Sequence, residues 1–212
     1  MTDKNDFLLL VSQTIRHEVA NILFVAGGNL ALYNEEQNPK RLETIRKSLE
    51  ELDSLMNLWK DLELIGEDDF WQDLESLLMR TIIVKSSVKI MFEVPEVKIK
   101  ANGLFGLVFT NFIENTIKYS GKSFPCVKIW AEEEKDGNLL IVYEDDGVGI
   151  SELEKDIIFN KGYGKNTGLG LFFIKEIVEM IGGTVKETGT NGVRFEVRVP
   201  DCNFRTTYNK KL

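Results

Sequence analysis

Apolar residues in the first part of the chain recur with a helical period. From about Asp6 to Tyr33 they fall at Leu8, Val11, Ile15, Val19, Ile22 and Ala26, with spacings of 3, 4, 4, 3 and 4. At about 100° per residue this pattern lines one face of a helix. His17 lies two residues beyond Ile15, about 200° round the helix, and so points away from that seam. Asn21, four residues after His17, shares its face. The pair Gly27-Gly28 is unfavourable inside a helix, so a weak or bent turn is expected there. The polar run Asn34–Asn38 ends at Pro39, a residue suited to a helix start. Beyond it Leu42, Ile45, Leu49, Leu52, Met56 and Trp59 alternate at 3 and 4, a heptad-like seam. Two antiparallel helices cannot bury such stripes between themselves. A homodimer is therefore expected, with two hairpins joined in a four-helix bundle. The alternative is a hairpin packed on the C-terminal half of its own chain.

The period changes after the Gly66–Phe70 segment, where a glycine and an acidic cluster place a domain boundary. The expected division is a helical hairpin over 1–66 and a second domain over 67–212. In the second domain Asp73–Ile83 and Leu104–Tyr119 read as helices, the latter with Leu104, Val108, Phe112 and Ile117 inward. Val88–Val94 and Val97–Ala101 read as short strands around Pro95. Val127–Glu133 and Leu139–Glu144 read as a hairpin closed by Asp136-Gly137-Asn138. Ser151–Thr167 is glycine-rich and irregular. Leu169–Ile181 is a helix stopped by Gly182-Gly183, and Val185–Thr188 with Val193–Val199 makes a last hairpin. The tail Asn203–Leu212 is expected to fray. The fold class expected is thus α plus α/β: the dimeric helical bundle, then a two-layer α/β sandwich.

Composition narrows the function classes. Of 212 residues, 43% are hydrophobic and 28% charged, which excludes disordered and low-complexity classes. The formal charge of -8 and the lack of a long Lys/Arg run argue against binding nucleic acid. Cys126 and Cys202 form no CxxC or disulfide framework and read as free thiols of a reducing cytoplasm. The apolar run Phe7–Val11 is too short and too acidic in its flank for a signal peptide, and no membrane-spanning segment is expected. No sensor domain is legible, so either a longer protein or a partner is expected to supply a signal. The single histidine, His17, excludes multi-histidine metal sites.

Three short motifs carry chemistry. Asn111, Asn115 and Lys118 share a helical face, and two carboxamides with an ammonium suit a hard cation and phosphate oxygens. Asp145-Asp146-Gly147-Val148-Gly149 sets a carboxylate at a strand end, able to accept a hydrogen bond from an exocyclic amine, beside glycines that let a ligand approach the main chain. Thr167-Gly168-Leu169-Gly170-Leu171 opens an apolar helix, whose free N–H groups attract phosphate. The segment Ile158–Lys165 between them, with glycines, aromatics and the lysines Lys161 and Lys165, has the make-up of a lid, and the lysines are candidate γ-phosphate partners.

In their order and spacing these motifs resemble those of the sensor histidine kinase family, whose ATP-binding fold is shared by gyrase and MutL ATPases. Asn111–Tyr119 resembles the family's N box, Asp145–Gly149 its G1 box, Ile158–Gly162 its F box and Gly168–Leu171 its G2 box. His17-Glu18-Val19-Ala20-Asn21 resembles its H box. The resemblance implies ATP and Mg²⁺ as cofactors. Asn115 and Asn111 would hold the metal and phosphates, Lys118 would contact phosphate, and Tyr119 would flank the base. Asp145 would read the adenine amine, Gly147 and Gly149 would shape the pocket, and Gly168, Leu169 and Gly170 would bind phosphates. His17 would accept the phosphoryl group, Glu18 would support it, and Asn21 matches a position that in some members orients a water against a phosphorylated response regulator. A response-regulator receiver domain is the implied partner.

Hydrolysing members of the superfamily carry a glutamate where Asn111 stands. An amide cannot take a proton from water, which favours transfer to another nucleophile. The chain departs from the family pattern in three places: Ile22 follows the H box in place of the common proline, Gly162 replaces a second aromatic, and Gly192-Val193 replaces Gly-Thr before the last strand. The rival readings are an anti-sigma-type serine kinase and a non-catalytic nucleotide-binding scaffold.

Overall fold

A computed structural model describes residues 4–62, 69–82, 87–164 and 168–206. The helices are α1 (Lys4–Glu36), α2 (Pro39–Leu62), α3 (Leu74–Ile82), α4 (Phe105–Tyr119) and α5 (Gly170–Met180). The strands are β1 (Phe70–Asp73), β2 (Lys89–Glu93), β3 (Val97–Ala101), β4 (Cys126–Glu133), β5 (Leu139–Asp145), β6 (Thr184–Glu187), β7 (Arg194–Val199) and β8 (Phe204–Thr206). The boundary expected at Gly66 lies outside the described residues, as do Lys165 and Thr167.

Helix α1 runs unbroken through Gly27 and Gly28. The glycine pair does not interrupt the helix. A glycine costs a helix about 1 kcal/mol against alanine, which lowers its stability without stopping it. The hairpin turns where the Gln37 N–H donates to the Tyr33 carbonyl at 2.8 Å, with Gln37 at φ 54°. The Asn38 side chain then accepts from the Lys40 N–H at 3.1 Å, opening α2.

The inward stripe of α1 is Phe7, Val11, Ile15 and Ile22, and Leu8 is exposed. Phe7 replaces Leu8 because its ring meets Phe173 of α5 edge-on at 6.2 Å. The N-terminal part of α1 therefore packs into the same hydrophobic core as the C-terminal half. On α2 the heptad seam divides. Leu52 packs on the core beside the buried Leu55, whereas Leu42, Leu49, Met56 and Trp59 are exposed. Leu23, Phe24, Val25 and Leu30 of α1 are exposed too. By length and composition alone Phe7–Glu36 is apolar enough to cross a membrane. This corrects the expectation that no stretch approaches a span: between Glu18 and Glu35 no charged residue occurs, and Asn21 and Asn29 interrupt that run without charging it.

Five strands form a mixed sheet in the order β2-β4-β5-β7-β6. Only the β2–β4 pair is parallel; the other neighbours are antiparallel. Phe112 of α4 stacks on Phe195 of β7 with ring centres 4.2 Å apart, which fixes the helix layer over the sheet. A second sheet, β1-β3-β8, was not expected. Strand β1 is too short to show alternation. It is held by pairing with β3 and by the Gln72 amide, which donates to the carbonyls of Ala101 and Asn102, each at 2.9 Å. Strand β8 lies in the tail expected to fray. It pairs with β3, and the Arg205 guanidinium sits over the Trp71 ring at 4.1 Å. Asp73 ends β1 and caps α3, accepting from the Ser76 N–H at 2.8 Å.

Candidate functional site

Helix α4 buries Phe105, Val108, Phe109, Phe112, Ile113 and Thr116. That burial turns Asn111, Asn115 and Lys118 toward a cavity of about 970 Å³. The Asn111 amide donates to the Leu107 carbonyl at 3.3 Å, leaving Oδ1 as its outward atom. That oxygen lies 2.7 Å from where a Cβ on Gly170 would stand, so Asn111 reaches the first residue of α5. The Lys118 ammonium pairs with Glu114 at 3.7 Å. Tyr119 lines the cavity, and partial burial raises its phenol above the ordinary value.

Asp145 ends β5 and is 5% exposed. Three donors converge on its carboxylate. Oδ1 accepts from the N–H groups of Gly147 at 2.9 Å and Val193 at 3.0 Å, and Oδ2 accepts from the Thr116 hydroxyl at 2.5 Å. Tyr143 reaches the same hydroxyl at 2.8 Å. The role of Thr116 was missed at the level of sequence. It sits inside the Asn111–Tyr119 motif, but only the packing of α4 on β5 brings it to Asp145. Gly147 does not line the cavity. A Cβ there would stand 2.8 Å from the Ser120 Cα, so glycine permits the turn.

The helix α5 begins at Gly170, and Gly168, Leu169, Gly170 and Leu171 line the cavity. The first N–H groups of a helix lack intrahelical partners and favour an anion. Gly168 has φ +61°, and a Cβ there would meet the backbone of Gly162 and Tyr163 at 2.5 to 2.7 Å. The lid segment is clasped at this point: the Gly162 N–H donates to the Gly168 carbonyl at 3.2 Å, and the Tyr163 hydroxyl donates to Glu154 at 2.8 Å. Gly149, at φ +75°, lines the same cavity. Four residues of α2 complete the wall: Lys47, Glu50, Glu51 and Leu55. No sequence motif singled them out, because they meet the cavity only through the packing of the hairpin against the core of the C-terminal half. A separate hollow of about 420 Å³ beside Thr188–Asn191 holds none of the expected residues, and its Arg194 is paired with Glu144 and Glu196.

His17, Glu18 and Asn21 do not line the cavity. They form a cluster of their own on α1. The His17 Nδ1 lies 3.2 Å from Glu18 Oε1 and 3.2 Å from Asn21 Nδ2, and its side chain is 72% exposed. Both contacts go to Nδ1, which leaves Nε2 facing solvent. A single Nδ1 serves one of these contacts at a time, donating to Glu18 when protonated or accepting from Asn21 when not; in the tautomer that donates to Glu18, Nε2 holds the free lone pair. Among the described residues no three His, Cys, Asp or Glu side chains gather as a metal site.

Residues 101–203 match the family described as histidine kinase-, DNA gyrase B-, and HSP90-like ATPases. Among curated proteins, the chain is 25% identical over 218 residues to the sensor histidine kinase GacS of Pseudomonas protegens, covering 89% of this chain and 23% of that one. It is 26% identical to the autoinducer 2 sensor kinase/phosphatase LuxQ of Vibrio parahaemolyticus, covering 92% of this chain and 26% of that one. The chain thus spans about a quarter of the length of these relatives. Among solved structures, the Acinetobacter baumannii histidine kinase AdeS superposes with a TM-score of 0.63 at 19% identity, over 88% of this chain and 98% of that one. The histidine kinase ThkA, solved in complex with the response regulator protein TrrA, superposes with a TM-score of 0.64 at 20% identity, over 94% of this chain and 64% of that one.

Proposed function

We propose that this chain, whose residues 101–203 match the histidine kinase-, DNA gyrase B-, and HSP90-like ATPase family and whose fold is like that of a solved histidine kinase, is an ATP-dependent protein-histidine kinase. One observation carries the reading. A single cavity has a buried carboxylate, Asp145, in its wall together with the carboxamides Asn111 and Asn115 and the start of α5. The carboxylate suits an amine-bearing base, and the amides with the helix start suit phosphates.

Residues 1–66 are the phosphotransfer hairpin in this reading, and residues 67–212 the nucleotide domain. The donor set fits Mg²⁺ as an ion held largely by phosphates and water. Asn111 Oδ1 is turned outward and Asn115 lies one turn on, while no carboxylate cluster is present among the described residues to cage the ion. When bound, the ion would offset phosphate charge. Lys118 would add a cation from α4, and Lys165 and Thr167 would act from the lid. Leu169 and Leu171 would set the main chain that meets the phosphates.

The acceptor is His17. Its Nε2 attacks the γ-phosphorus, the bond to the β-γ bridging oxygen breaks, and ADP leaves. Glu18 accepts the Nδ1 proton as a hydrogen bond and supports the positive charge that develops on the ring. The phosphoryl group then passes to an aspartate of a response-regulator receiver domain, and Asn21 positions a water for its later removal. The exposed apolar faces of α1 and α2 support a homodimeric four-helix bundle. The reading assigns the chain to the cytoplasm, where ATP is supplied.

Labelled ATP tests the reading. Acid-labile, base-stable label that disappears in His17→Gln is the expected result. Acid-stable label on serine would favour a serine kinase of the anti-sigma type, and nucleotide binding with no label would favour a scaffold.

A further inference from the structure

We propose that Thr116 and Tyr143 are positioning residues that set the base preference of the site, by holding Asp145 as an acceptor aimed at an exocyclic amine. The inference rests on the adenine-nucleotide reading of the cavity and adds to it the groups that enforce that choice.

The three side chains form a buried relay at the cavity wall. Tyr143 is 1% exposed, Thr116 3% and Asp145 5%, so the hydrogen bonds between them are largely shielded from water. The direction of the relay follows from chemistry. A carboxylate only accepts, so the Thr116 hydroxyl must donate to Asp145 Oδ2 across 2.5 Å. With its proton committed, the Thr116 oxygen is left to accept, and Tyr143 must donate to it across 2.8 Å. Burial pushes the Tyr143 phenol far above its ordinary value, which keeps it a donor. The phenol ring is itself fixed, packed 5.2 Å from the Phe112 ring centre and 6.4 Å from that of Phe195.

The carboxylate is therefore locked by every neighbour. Oδ1 is filled by the Gly147 and Val193 N–H groups, while Oδ2 takes one hydrogen bond from Thr116 and retains one lone pair. Asp145 and Thr116 both line the cavity, so this remaining acceptor serves a ligand there. An amine on a purine's six-membered ring donates to it. A carbonyl at the same place sets lone pair against lone pair. Thr116 also follows Asn115 directly on α4, so the helix that holds the base end of the site holds the phosphate end too.

The test is calorimetric binding of ADP and of IDP, each with Mg²⁺, to the wild-type chain and to Thr116→Val, Thr116→Ser and Tyr143→Phe. The wild type is expected to prefer ADP. Thr116→Val keeps the shape and removes the donor, and should cut the ADP-over-IDP preference about tenfold while IDP affinity moves by less than about twofold. Thr116→Ser should restore the preference. Tyr143→Phe, which removes a single oxygen, should give a smaller loss of about threefold. Equal weakening of both nucleotides in Thr116→Val, or no change in any variant, would overturn the inference and leave the kinase reading standing. Equal wild-type affinity for ADP and IDP would do the same. A wild-type chain that binds neither would overturn both.

Discussion

Gly192 presses against the end of β5: a Cβ at this residue would stand 2.0 Å from the Asp145 carbonyl oxygen. Its φ of +84° is also one that side chains rarely adopt. The contact fixes the strand end next to the N–H of Val193, which donates to the Asp145 carboxylate. Gly192→Ala should therefore destabilise the chain by more than about 2 kcal/mol and weaken ADP binding with it. Urea unfolding and calorimetry read the two effects. An alanine variant of wild-type stability would show that this turn relaxes freely.

Asp145→Asn replaces one acceptor oxygen by an amide that faces donors. At either position the new N–H₂ group meets an N–H or an O–H. ADP binding should fall by at least about a hundredfold, and stability by about 2 kcal/mol. Retained nanomolar or micromolar binding at wild-type strength would remove Asp145 from base recognition.

Glu18 and Asn21 meet the same nitrogen of His17 and should separate by reaction. Glu18→Gln should slow autophosphorylation by about a hundredfold while ADP affinity is unchanged, because Glu18 does not line the cavity. Asn21→Ala should spare autophosphorylation and slow dephosphorylation of the receiver. Equal loss of both reactions in Asn21→Ala would refute that division.

Asp73 gives a pH-dependent stability prediction. The Ser76 backbone N–H, followed by its hydroxyl, holds this carboxyl below its ordinary value. A depressed value in the folded state means the charged cap stabilises fully above the unfolded value, near 3.9, and is lost as pH falls through the folded value. Asp73→Ala should cost about 1 kcal/mol at pH 7, and the gap to wild type should close in acid. Thermal unfolding at pH 7 and below pH 4 checks both parts.

The exposed Leu49 and Phe24 test the proposed dimer. Phe24 is 82% exposed, a large apolar area to leave in water. Leu49→Arg combined with Phe24→Arg should convert a dimer to a monomer in light scattering, while ADP binding stays within about twofold because neither residue lines the cavity. A variant that remains dimeric would place the interface elsewhere.

Local rules carried much of the reading. Helical spacing was enough for α1, α2, α4 and α5, because each repeats apolar residues every three or four positions, even where, as on α2, much of the stripe stays exposed. The Asn111, Asp145 and Gly168 motifs were legible for a similar reason: each is a short run whose chemistry sits within one turn or one strand end. Strands β1 and β8 were not, since three or four residues hold too little pattern and both depend on β3 for their partners.

The order of motifs along the chain determined the family resemblance, and with it the expected nucleotide, acceptor and transfer. Tertiary structure alone decided which neighbours those residues have. It brought Thr116 and Tyr143 to Asp145, set Lys47, Glu50, Glu51 and Leu55 of the hairpin against the cavity, and turned Phe7 rather than Leu8 into the core. The physical reason is distance along the chain. A period of three or four reports what one helix does to itself, whereas a hydrogen bond between residues 29 positions apart exists only once helix and sheet have packed.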